Sequence, residues 1–296
     1  MMKGPIKLLK SIWNRVFYYC APAKVYLNKR FKATFNRNIN WENPSTYNEK
    51  LQWLKVYNRD PLYTKLVDKY AVREYIRDKI GEEYLIPLLG VWNRVEDIDF
   101  DKLPNQFVLK CTHDSGSVVV CKDKQKFDIK KAKAKLGRGL KRNFYYNHRE
   151  WPYKNIKSRI IAEAYMEDES GYELKDYKFF TFNGKVKALY VAQDRLRIGE
   201  EVKFDFFDEE FNHLPIKHGH DNAAVPAAKP DKYEEMVRLA EILAGNFPHV
   251  RVDFYNIKGR IYFGELTFYH HSGFVPFQPD KWDKIFGDWL ILPKKR

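Results

Sequence analysis

The sequence predicts an α+β fold, because two hairpin-like segments of strand character are separated by segments of helical character. The segment 249–273, HVRVDFYNIKGRIYFGELTFYHHSG, has the period-two alternation of a strand on both sides of the turn Asn256–Gly259. A second hairpin is indicated by Asn183–Gly184, a dipeptide typical of two-residue turns. A helical pattern that begins near Pro230 lies between the two hairpins. This order of elements fits two α+β lobes.

The composition indicates a folded chain with an anionic partner. Of its 296 residues, 44% are hydrophobic and 16% aromatic, which is ample for a core, and the length suits one large or two small domains. No apolar run reaches the 18 or more residues of a membrane-spanning helix. An odd number of cysteines without metal-site spacing favours a reducing, cytoplasmic setting. The net charge of +14 favours binding to a nucleic acid, a nucleotide, an acidic sugar or a membrane surface.

Residues 1–60 are expected to form a helical segment ahead of the main domain. The apolar residues that share one helical face near its start are Leu9, Ile12, Trp13 and Val16, with lysines nearby. Such a helix suits a membrane interface, and an amphipathic helix packed on the domain has the same pattern. Peripheral attachment to the inner face of the plasma membrane is therefore one of two interpretations. Thr46 and Glu49 have capping-box spacing at the start of a further helix.

A helix is predicted from Asp60–Pro61 to about Gly81, with proline at its first position. Two short strands, FVLK and VVVC, are predicted after it and are joined by the loop CTHDSGS. The loop tip, Ser115, Gly116 and Ser117, can present backbone N–H groups to a phosphate, because glycine lets the backbone approach closely. The Walker A pattern is absent from the sequence, so this would be another kind of phosphate loop.

Three further segments carry polar groups whose roles the residues alone leave open. The basic run from Lys122 to Arg142 has a helical pattern, which fits a solvated helix face, a nucleic-acid surface or a landing patch for an acidic glycan. A predicted buried strand contains Glu163, and a buried acid needs a partner. The region 192–230 is predicted to be rich in loops. Its histidines lack zinc-site spacing and are interpreted as surface or acceptor-facing residues: His213, His218 and His220.

The hairpin in segment 249–273 carries paired acidic residues. Period two places Arg251 and Asp253 on one face of the first strand, and Glu265 and Thr267 on one face of the second. If the strands pair, the two carboxylates meet and require a cation between them, for which Mg²⁺ is the best candidate. Both carboxylates are then expected to face ions and not the core. The simpler alternative is a hairpin with a solvated, charged face.

These motifs resemble those of ATP-grasp ligases. The sequence Arg251-Val252-Asp253 followed by Glu265-Leu266-Thr267 is similar to the metal-binding end of that family, with Thr267 where Asn is usual. The segments RVDFY and YFGELTFYHHSGF are most similar to the TupA-like branch of the family. That branch is associated with teichuronopeptide biosynthesis and bacterial surface polysaccharides. The resemblance covers roughly Asp60 to the C-terminus. It implies an ATP-grasp fold in which ATP binds between lobes at about 61–158 and 159–296.

The resemblance also implies the parts of an ATP site, with ATP and Mg²⁺ as the bound groups. The residues expected at the phosphates are Lys69, Lys110, Lys178, Ser115, Gly116 and Ser117. The residues expected at the adenine are Glu163, through its carboxylate, and Ala164, Tyr165 and Met166, through their backbone. Asp176 would bind the ribose hydroxyls. The expected magnesium ligands are Asp253, Glu265 and Thr267.

The implied reaction joins a carboxylate to an amine through an acyl phosphate. Arg251 and Lys178 would act on the transferring phosphoryl group. The residues expected to face the acceptor are His270, His271 and Ser272. The branch suggests an amino acid or other amine and an acidic sugar or glycan as partners, with no nucleic acid.

Other classes of protein stay open at this stage. One is an ATP-grasp kinase that stops at a phosphorylated product. A second is a glycosyltransferase of polysaccharide biosynthesis, which would use a nucleotide sugar. A third is a basic nucleic-acid-binding protein without catalysis.

Overall fold

Two antiparallel sheets form the framework of the described chain. The computed structural model describes residues 16–171, 173–194 and 201–295. The first sheet has four strands, in the spatial order β1-β4-β2-β3: β1 (Leu88–Trp92), β2 (Phe107–Cys111), β3 (Val118–Cys121) and β4 (Ile160–Ala164). The second has six, in the order β10-β9-β5-β6-β7-β8: β5 (Asp176–Phe182), β6 (Lys185–Gln193), β7 (Lys203–Asp208), β8 (His213–Leu214), β9 (His249–Ile257) and β10 (Arg260–Thr267). The predicted α+β class is confirmed.

Helices pack around these sheets. Residues 16–20 are helical, and the helices that follow are α1 (Ala23–Phe35), α2 (Tyr47–Tyr57), α3 (Pro61–Val67), α4 (Val72–Lys79), α5 (Ile129–Leu140), α6 (Tyr145–His148), α7 (Tyr233–Ala244) and α8 (Lys281–Trp289). The capping box predicted at the start of α2 is present, because the Thr46 hydroxyl accepts from the Glu49 N–H and the Glu49 carboxylate accepts from the Thr46 N–H. Within the described ranges, none of the helices is long and apolar enough to cross a bilayer.

The helix predicted from Asp60 to about Gly81 is two helices, α3 and α4. The break occurs at Asp68, whose carboxylate accepts from the N–H groups of Tyr70 and Ala71 and so starts a new helix. Its other oxygen accepts from Arg159, at 2.8 Å. The turn between the helices therefore carries Lys69, which lies outside both helices.

Each sheet has its own hydrophobic core. The core of the second sheet includes the fully buried Phe179, Phe180 and Phe254, and it takes in Tyr47 and Leu51 from α2. The first sheet packs on α5 around Phe107 and Leu136. Thus α2, which precedes residue 60, packs with the second sheet. Strand β4, which follows the expected lobe boundary at about residue 158, pairs within the first sheet.

The region 192–230, predicted to be rich in loops, contains β7 and the short β8. Strand β7 reads KFDFFD, and its aromatic residues are buried, with Phe206 fully covered. The polar exception on the strand is Asp205, which is buried and accepts from Gln193 and from the N–H of Ala223. The strand was not predicted, because the acidic residues in its sequence interrupt the apolar pattern of a strand that is buried on both faces.

Candidate nucleotide and metal site

A polar cavity of about 400 Å³ lies between the two sheets. Its residues come from β2, β3 and β4 on one side, from β5, β9 and β10 on the other, and from the turn and helix that follow α3. The lining residues are Lys69, Arg73, Leu85, Lys110, Asp114, Ser115, Gly116, Val118, Glu163, Asp176, Lys178, Tyr255, Phe263, Gly264 and Glu265. Cationic side chains from both sheets thus face one space, as the binding of a phosphate chain requires.

A mainly apolar cavity of about 250 Å³ adjoins the polar one. Three residues, Lys110, Val118 and Tyr255, line both. The other lining residues are Ile86, Val108, Val120, Ala164, Tyr165, Met166 and Leu174. The strand end predicted to hold adenine therefore lines an apolar pocket that opens onto the cationic one. A flat aromatic base attached to a charged chain has this division of character.

The cations on the side of the first sheet are held by Glu163. Its carboxylate accepts from Lys110 at 2.7 Å and from Arg73 at 3.2 Å. Burial alone would lower the pKa of Lys110, but the charge of Glu163 raises it above its usual value, so the ammonium stays charged. Glu163 lines the polar cavity, where these cations engage it, and its expected contact with the adenine amino group stays a prediction. Nothing in the sequence pointed to Arg73, which lies within a helix.

The loop between β2 and β3 presents two of its three expected residues to the cavity. Ser115 and Gly116 are exposed there, and Gly116 has a φ of +97°, which favours glycine. The hydroxyl of Ser117 is instead buried and donates to the carboxylate of Asp114 at 2.5 Å. Lys69 reaches the same loop and donates to the backbone oxygen of Asp114 at 2.6 Å. Ser117 thus stabilises the loop, and Ser115 and Gly116 face the cavity.

The β9–β10 hairpin has the register that the acidic pattern predicted. Asp253 lies opposite Glu265, and Arg251 lies opposite Thr267. A bulge at Gly264 produces this pairing, since Phe263 lies opposite Phe254 and the next paired residue is Glu265. A Cβ atom on Gly264 would lie 3.1 Å from the backbone oxygen of Asp253, so the close approach favours glycine. Without the bulge, Glu265 would shift out of register with Asp253.

Arg251 connects the four polar residues on this face of the hairpin. Its guanidinium donates to both oxygens of Asp253, at 2.7 and 2.6 Å, and also to Glu265 at 3.1 Å and Thr267 at 3.0 Å. Burial alone would lower the pKa of Arg251, but Asp253 holds it well above its usual range. The guanidinium is therefore a fixed cation bound to Glu265, which lines the cavity.

Lys178 lies between two carboxylates. Its ammonium is 2.6 Å from Asp176 and also donates to Asp253. Burial alone would lower its pKa, but the charges of Asp176 and Asp253 raise it. The position between the acids is therefore one that a cation occupies favourably. The three residues come together because Lys178 pairs with Asp253 across β5 and β9.

The two expected metal carboxylates differ in exposure. The side chain of Glu265 is 44% exposed, whereas that of Asp253 is 1% exposed and ion-paired on both oxygens. Burial would raise the pKa of Glu265, but Lys178, Arg251 and Lys69 lower it to about 2, so it is an anion. Carboxylate oxygens are donors of the kind that Mg²⁺ prefers, but only Glu265 presents them to the cavity, because both oxygens of Asp253 are occupied by Arg251 and Lys178. The expectation that both acids face away from the core holds for Glu265, but Asp253 is buried.

The residues expected to face the acceptor are more buried than the sequence suggested. His270 is 1% exposed, and the Ser272 hydroxyl donates to the buried Glu150. His218, interpreted as a surface or acceptor-facing residue, is fully buried. The ring nitrogens of His218, His270 and His271 converge to within 4.8 Å. The sequence could not indicate this cluster, because its members come from segments about 50 residues apart.

Solved structures that are similar to this chain include two ligases. In the solved D-alanine–D-alanine ligase from Bacillus anthracis complexed with ATP, the similarity covers 69% of this chain and 53% of that chain, at 16% identity and a TM-score of 0.38. In L-amino acid ligase from Bacillus licheniformis, the similarity covers 74% of this chain and 48% of that chain, at 14% identity and a TM-score of 0.44. The chain thus spans about half the length of these two proteins. None of the curated proteins matches it.

The family comparison covers more of the chain. The model of the TupA-like ATP-grasp family matches residues 49–291, which include both sheets and every residue of the two cavities. The chain therefore belongs to the TupA-like ATP-grasp family, and the family and fold predicted from the sequence are confirmed.

Proposed function

We propose that this chain is an ATP- and Mg²⁺-dependent carboxylate–amine ligase that forms an amide through an acyl phosphate. The observation that carries the proposal is the cavity between the sheets, which Lys69, Lys110 and Lys178 line together with Glu265 of the β9–β10 hairpin. Phosphoryl transfer depends mainly on positioning and charge neutralisation, and these residues supply both. Membership of the ATP-grasp family supports the same assignment.

ATP fits the two joined cavities in one direction. The adenine occupies the apolar pocket beside Ala164, Tyr165 and Met166, and the ribose lies near Asp176. The phosphates then extend into the polar cavity, where Ser115 and Gly116 border them and the lysines neutralise them. The terminal phosphate lies toward Glu265 and Arg251. The reverse direction would place the triphosphate against apolar side chains, which is unfavourable.

The reaction has two steps, and the residues of the chain act mainly in the first. An oxygen of the substrate carboxylate forms a bond to the γ-phosphorus while the bond from that phosphorus to the β–γ bridging oxygen breaks, and ADP leaves. Arg251 and Lys178 stabilise the charge on the transferring group. The amine then attacks the acyl carbon, inorganic phosphate leaves, and the amine loses a proton. Mg²⁺ held by Asp253 and Glu265, with Thr267 beside them, would neutralise the phosphate oxygens.

The proposed substrates are an amino acid and a uronic acid of a bacterial surface polysaccharide, of the capsule, O-antigen or teichuronic type. The sequence resemblance to the teichuronopeptide branch supports this class. A net charge of +14 favours an acidic acceptor. The exposed basic residues of α5 give a surface for such a glycan: Lys130, Lys131, Lys135 and Arg138. An acceptor linked to a lipid would place the enzyme at the inner face of the plasma membrane.

The test is ADP release from Mg·ATP in a matrix of sugar acids and amino acids. A ligase releases ADP in amounts that depend on both a carboxylate and an amine, and the amide is detectable by mass spectrometry. ADP release with one substrate alone, and a phosphorylated product, would identify the kinase alternative. A thermal shift with a nucleotide-diphosphate sugar but none with Mg·ATP would identify the glycosyltransferase.

A further inference from the structure

A chain of hydrogen bonds runs from Arg251 into the protein, away from the cavity. The Nη1 group of Arg251 donates to Nδ1 of His270, at 2.7 Å. Nε2 of His270 lies 3.1 Å from Nδ1 of His218. Nε2 of His218 lies 2.9 Å from the backbone oxygen of Val275. Both rings are buried, so water does not compete for these bonds.

The two ends of the chain fix its direction. A guanidinium only donates, so Nδ1 of His270 must accept and the proton of that ring is on Nε2. A carbonyl only accepts, so Nε2 of His218 must donate and its Nδ1 is left as an acceptor. The two assignments agree, because His270 Nε2–H then donates to His218 Nδ1. Both rings are neutral in this arrangement, and each has one defined tautomer.

Aromatic side chains fix the planes of the two rings. Phe277 stacks on His218 with ring centroids 3.8 Å apart, and Phe180 meets His270 edge to face at 4.9 Å. The hydrogen-bond chain therefore has little freedom to reorient, because core packing holds both rings in place. The guanidinium of Arg251 must adopt the orientation that lets it donate to His270. Phe180 lies on β5, and Phe277 lies between His270 and the start of α8.

An unusual turn sets the position of His270 and the residues after it. His271, Ser272 and Gly273 all have left-handed backbone angles, with φ of 47°, 54° and 62°. Such a run is strained for side-chain-bearing residues. It is held from α2, because Gln52 donates to the backbone oxygens of Ser272 and Gly273, and Lys55 donates to that of Ser272. The strained run directly follows His270, which accepts from Arg251.

The partners of Arg251 divide into two kinds. Asp253 and Glu265 are anions that bind the Nε and Nη2 side of the guanidinium. The Nη1 side contacts a neutral imidazole, which fixes direction without cancelling charge. A third carboxylate at that place would compensate the guanidinium further and weaken its pull on a phosphoryl oxygen.

The rings of His218, His270 and His271 have the spacing of a metal site, but the hydrogen bonds of His270 argue against a bound metal. A metal at the centre of the cluster would need the lone pair of His270 Nε2, and that nitrogen carries the proton while Arg251 donates to Nδ1. The guanidinium would also repel the ion across one imidazole ring. Metal binding and the contact to Arg251 therefore exclude each other.

We propose that His270 and His218 are positioning residues for Arg251, which orient its guanidinium toward the transferring phosphoryl group through a neutral hydrogen-bond chain that ends at Val275. The role of Arg251 in this statement rests on the proposed ligase function, whereas the chain itself can be tested without turnover.

The first test is ¹⁵N NMR of the histidine rings in the full-length protein at pH 7. The expected result is a protonated Nε2 and an unprotonated Nδ1 for both residues, assigned by their loss in His270→Asn and His218→Asn. A protonated Nδ1 in His270, or a doubly protonated ring, would overturn the proposal. So would a Zn²⁺ titration that raises the Tm of the wild type but not of His218→Leu, since a metal would then occupy the cluster.

The second test compares kinetics of variants that keep or remove the acceptor. His270→Leu removes it, and kcat is expected to fall about 10²-fold, the loss typical of a misplaced catalytic group. KM for ATP should change less than about threefold, because other residues bind the nucleotide. His270→Asn places an amide oxygen near Nδ1 and should recover much of kcat. The control is Lys32→Ala, on the exposed side of α1, which should match the wild type.

The outcomes separate the two hypotheses. Equal kcat losses in His270→Leu and His270→Asn, with equal losses in Tm, would show a merely structural role and overturn the positioning proposal. An unchanged kcat in His270→Leu would overturn it as well. If the wild type released no ADP with any carboxylate and amine, the ligase function would fail, while the NMR result would still decide whether the chain exists.

Discussion

The two acidic residues of the β9–β10 hairpin should respond differently to neutralisation, although both are proposed to hold Mg²⁺. Asp253→Asn and Glu265→Gln each remove one negative charge without changing the size of the side chain. Asp253 is 1% exposed and bound by Arg251 and Lys178, whereas Glu265 is 44% exposed toward the cavity. Stability therefore depends on the first acid much more than on the second.

The magnitudes follow from burial. Removing one partner of a buried ion pair typically costs about 3–5 kcal/mol, because the remaining charge is left without compensation. At about 2 °C per kcal/mol for a chain of this size, Asp253→Asn should lower Tm by about 6–10 °C. Exposed pairs contribute less than about 1 kcal/mol, so Glu265→Gln should stay within about 2 °C of the wild type. Both should reduce turnover on the order of 10²–10³-fold, as for other losses of a charge stabiliser.

Thermal unfolding without ligand and ADP release with saturating Mg·ATP measure the two effects separately. Glu234→Gln is the matched control, since this side chain is 79% exposed on α7, outside both cavities. Turnover within threefold of the wild type for Glu265→Gln would refute the placement of the metal and phosphate at this hairpin. Equal stability of Asp253→Asn and the wild type would refute the argument from its buried ion pairs.

Three further predictions concern the nucleotide, acid stability and the membrane. Lys110→Ala should abolish most of the Tm increase that millimolar Mg·ATP produces in the wild type. The control Lys32→Ala, on the exposed side of α1, should keep that increase. Equal Tm increases in the two variants would contradict the assignment of Lys110 to the phosphates. Burial lowers the pKa of His218 to about 4 and that of His249 to about 3, so below about pH 6.5 the unfolded chain binds more protons. The free energy of unfolding should then fall by about 1.4 kcal/mol per pH unit for each ring between pH 6 and 4, measured by urea titration, and a flat profile would refute this. Deleting residues 1–20, of which 1–15 lie outside the described ranges, should remove salt-sensitive co-sedimentation with anionic vesicles; equal negligible pelleting at low salt would contradict membrane attachment.

The hairpin register could be predicted from the sequence because it depends on local periodicity. Alternation placed Arg251 with Asp253 and Glu265 with Thr267 on common faces, and the paired strands confirm these faces. The bulge at Gly264 was not predicted, although the glycine is the residue that permits it. Capping chemistry is equally local, which is why the start of α2 was predicted correctly. The cap at Asp68 was not predicted and was recognised only in the structure.

Contacts between segments distant in the chain could not be predicted in the same way. Arg73 reaches Glu163 across 90 positions, and His218 meets His270 across 52. Neither pair has a sequence signal, because periodicity describes the face of one element and not its neighbour in space. His218 is buried against Phe277, which is distant from it in the chain, and β7 was not predicted because its sequence contains acids. Thus the cationic and acidic residues were recognised individually from the sequence, but the pairs that they form could be identified only from the fold.

That pairing bears on which form of the nucleotide binds. Within the described structure, Lys110 is paired with Glu163, and Lys178 lies between Asp176 and Asp253. A phosphate chain that enters the cavity must compete with these acids for the lysines. Mg²⁺ held by Asp253 and Glu265 would resolve the competition, because it would supply positive charge to these acids and leave Lys178 available to the phosphates. Free ATP would draw Lys178 away from the buried Asp176 and Asp253 without supplying another cation, so we expect Mg·ATP to bind more tightly than ATP in the presence of a chelator.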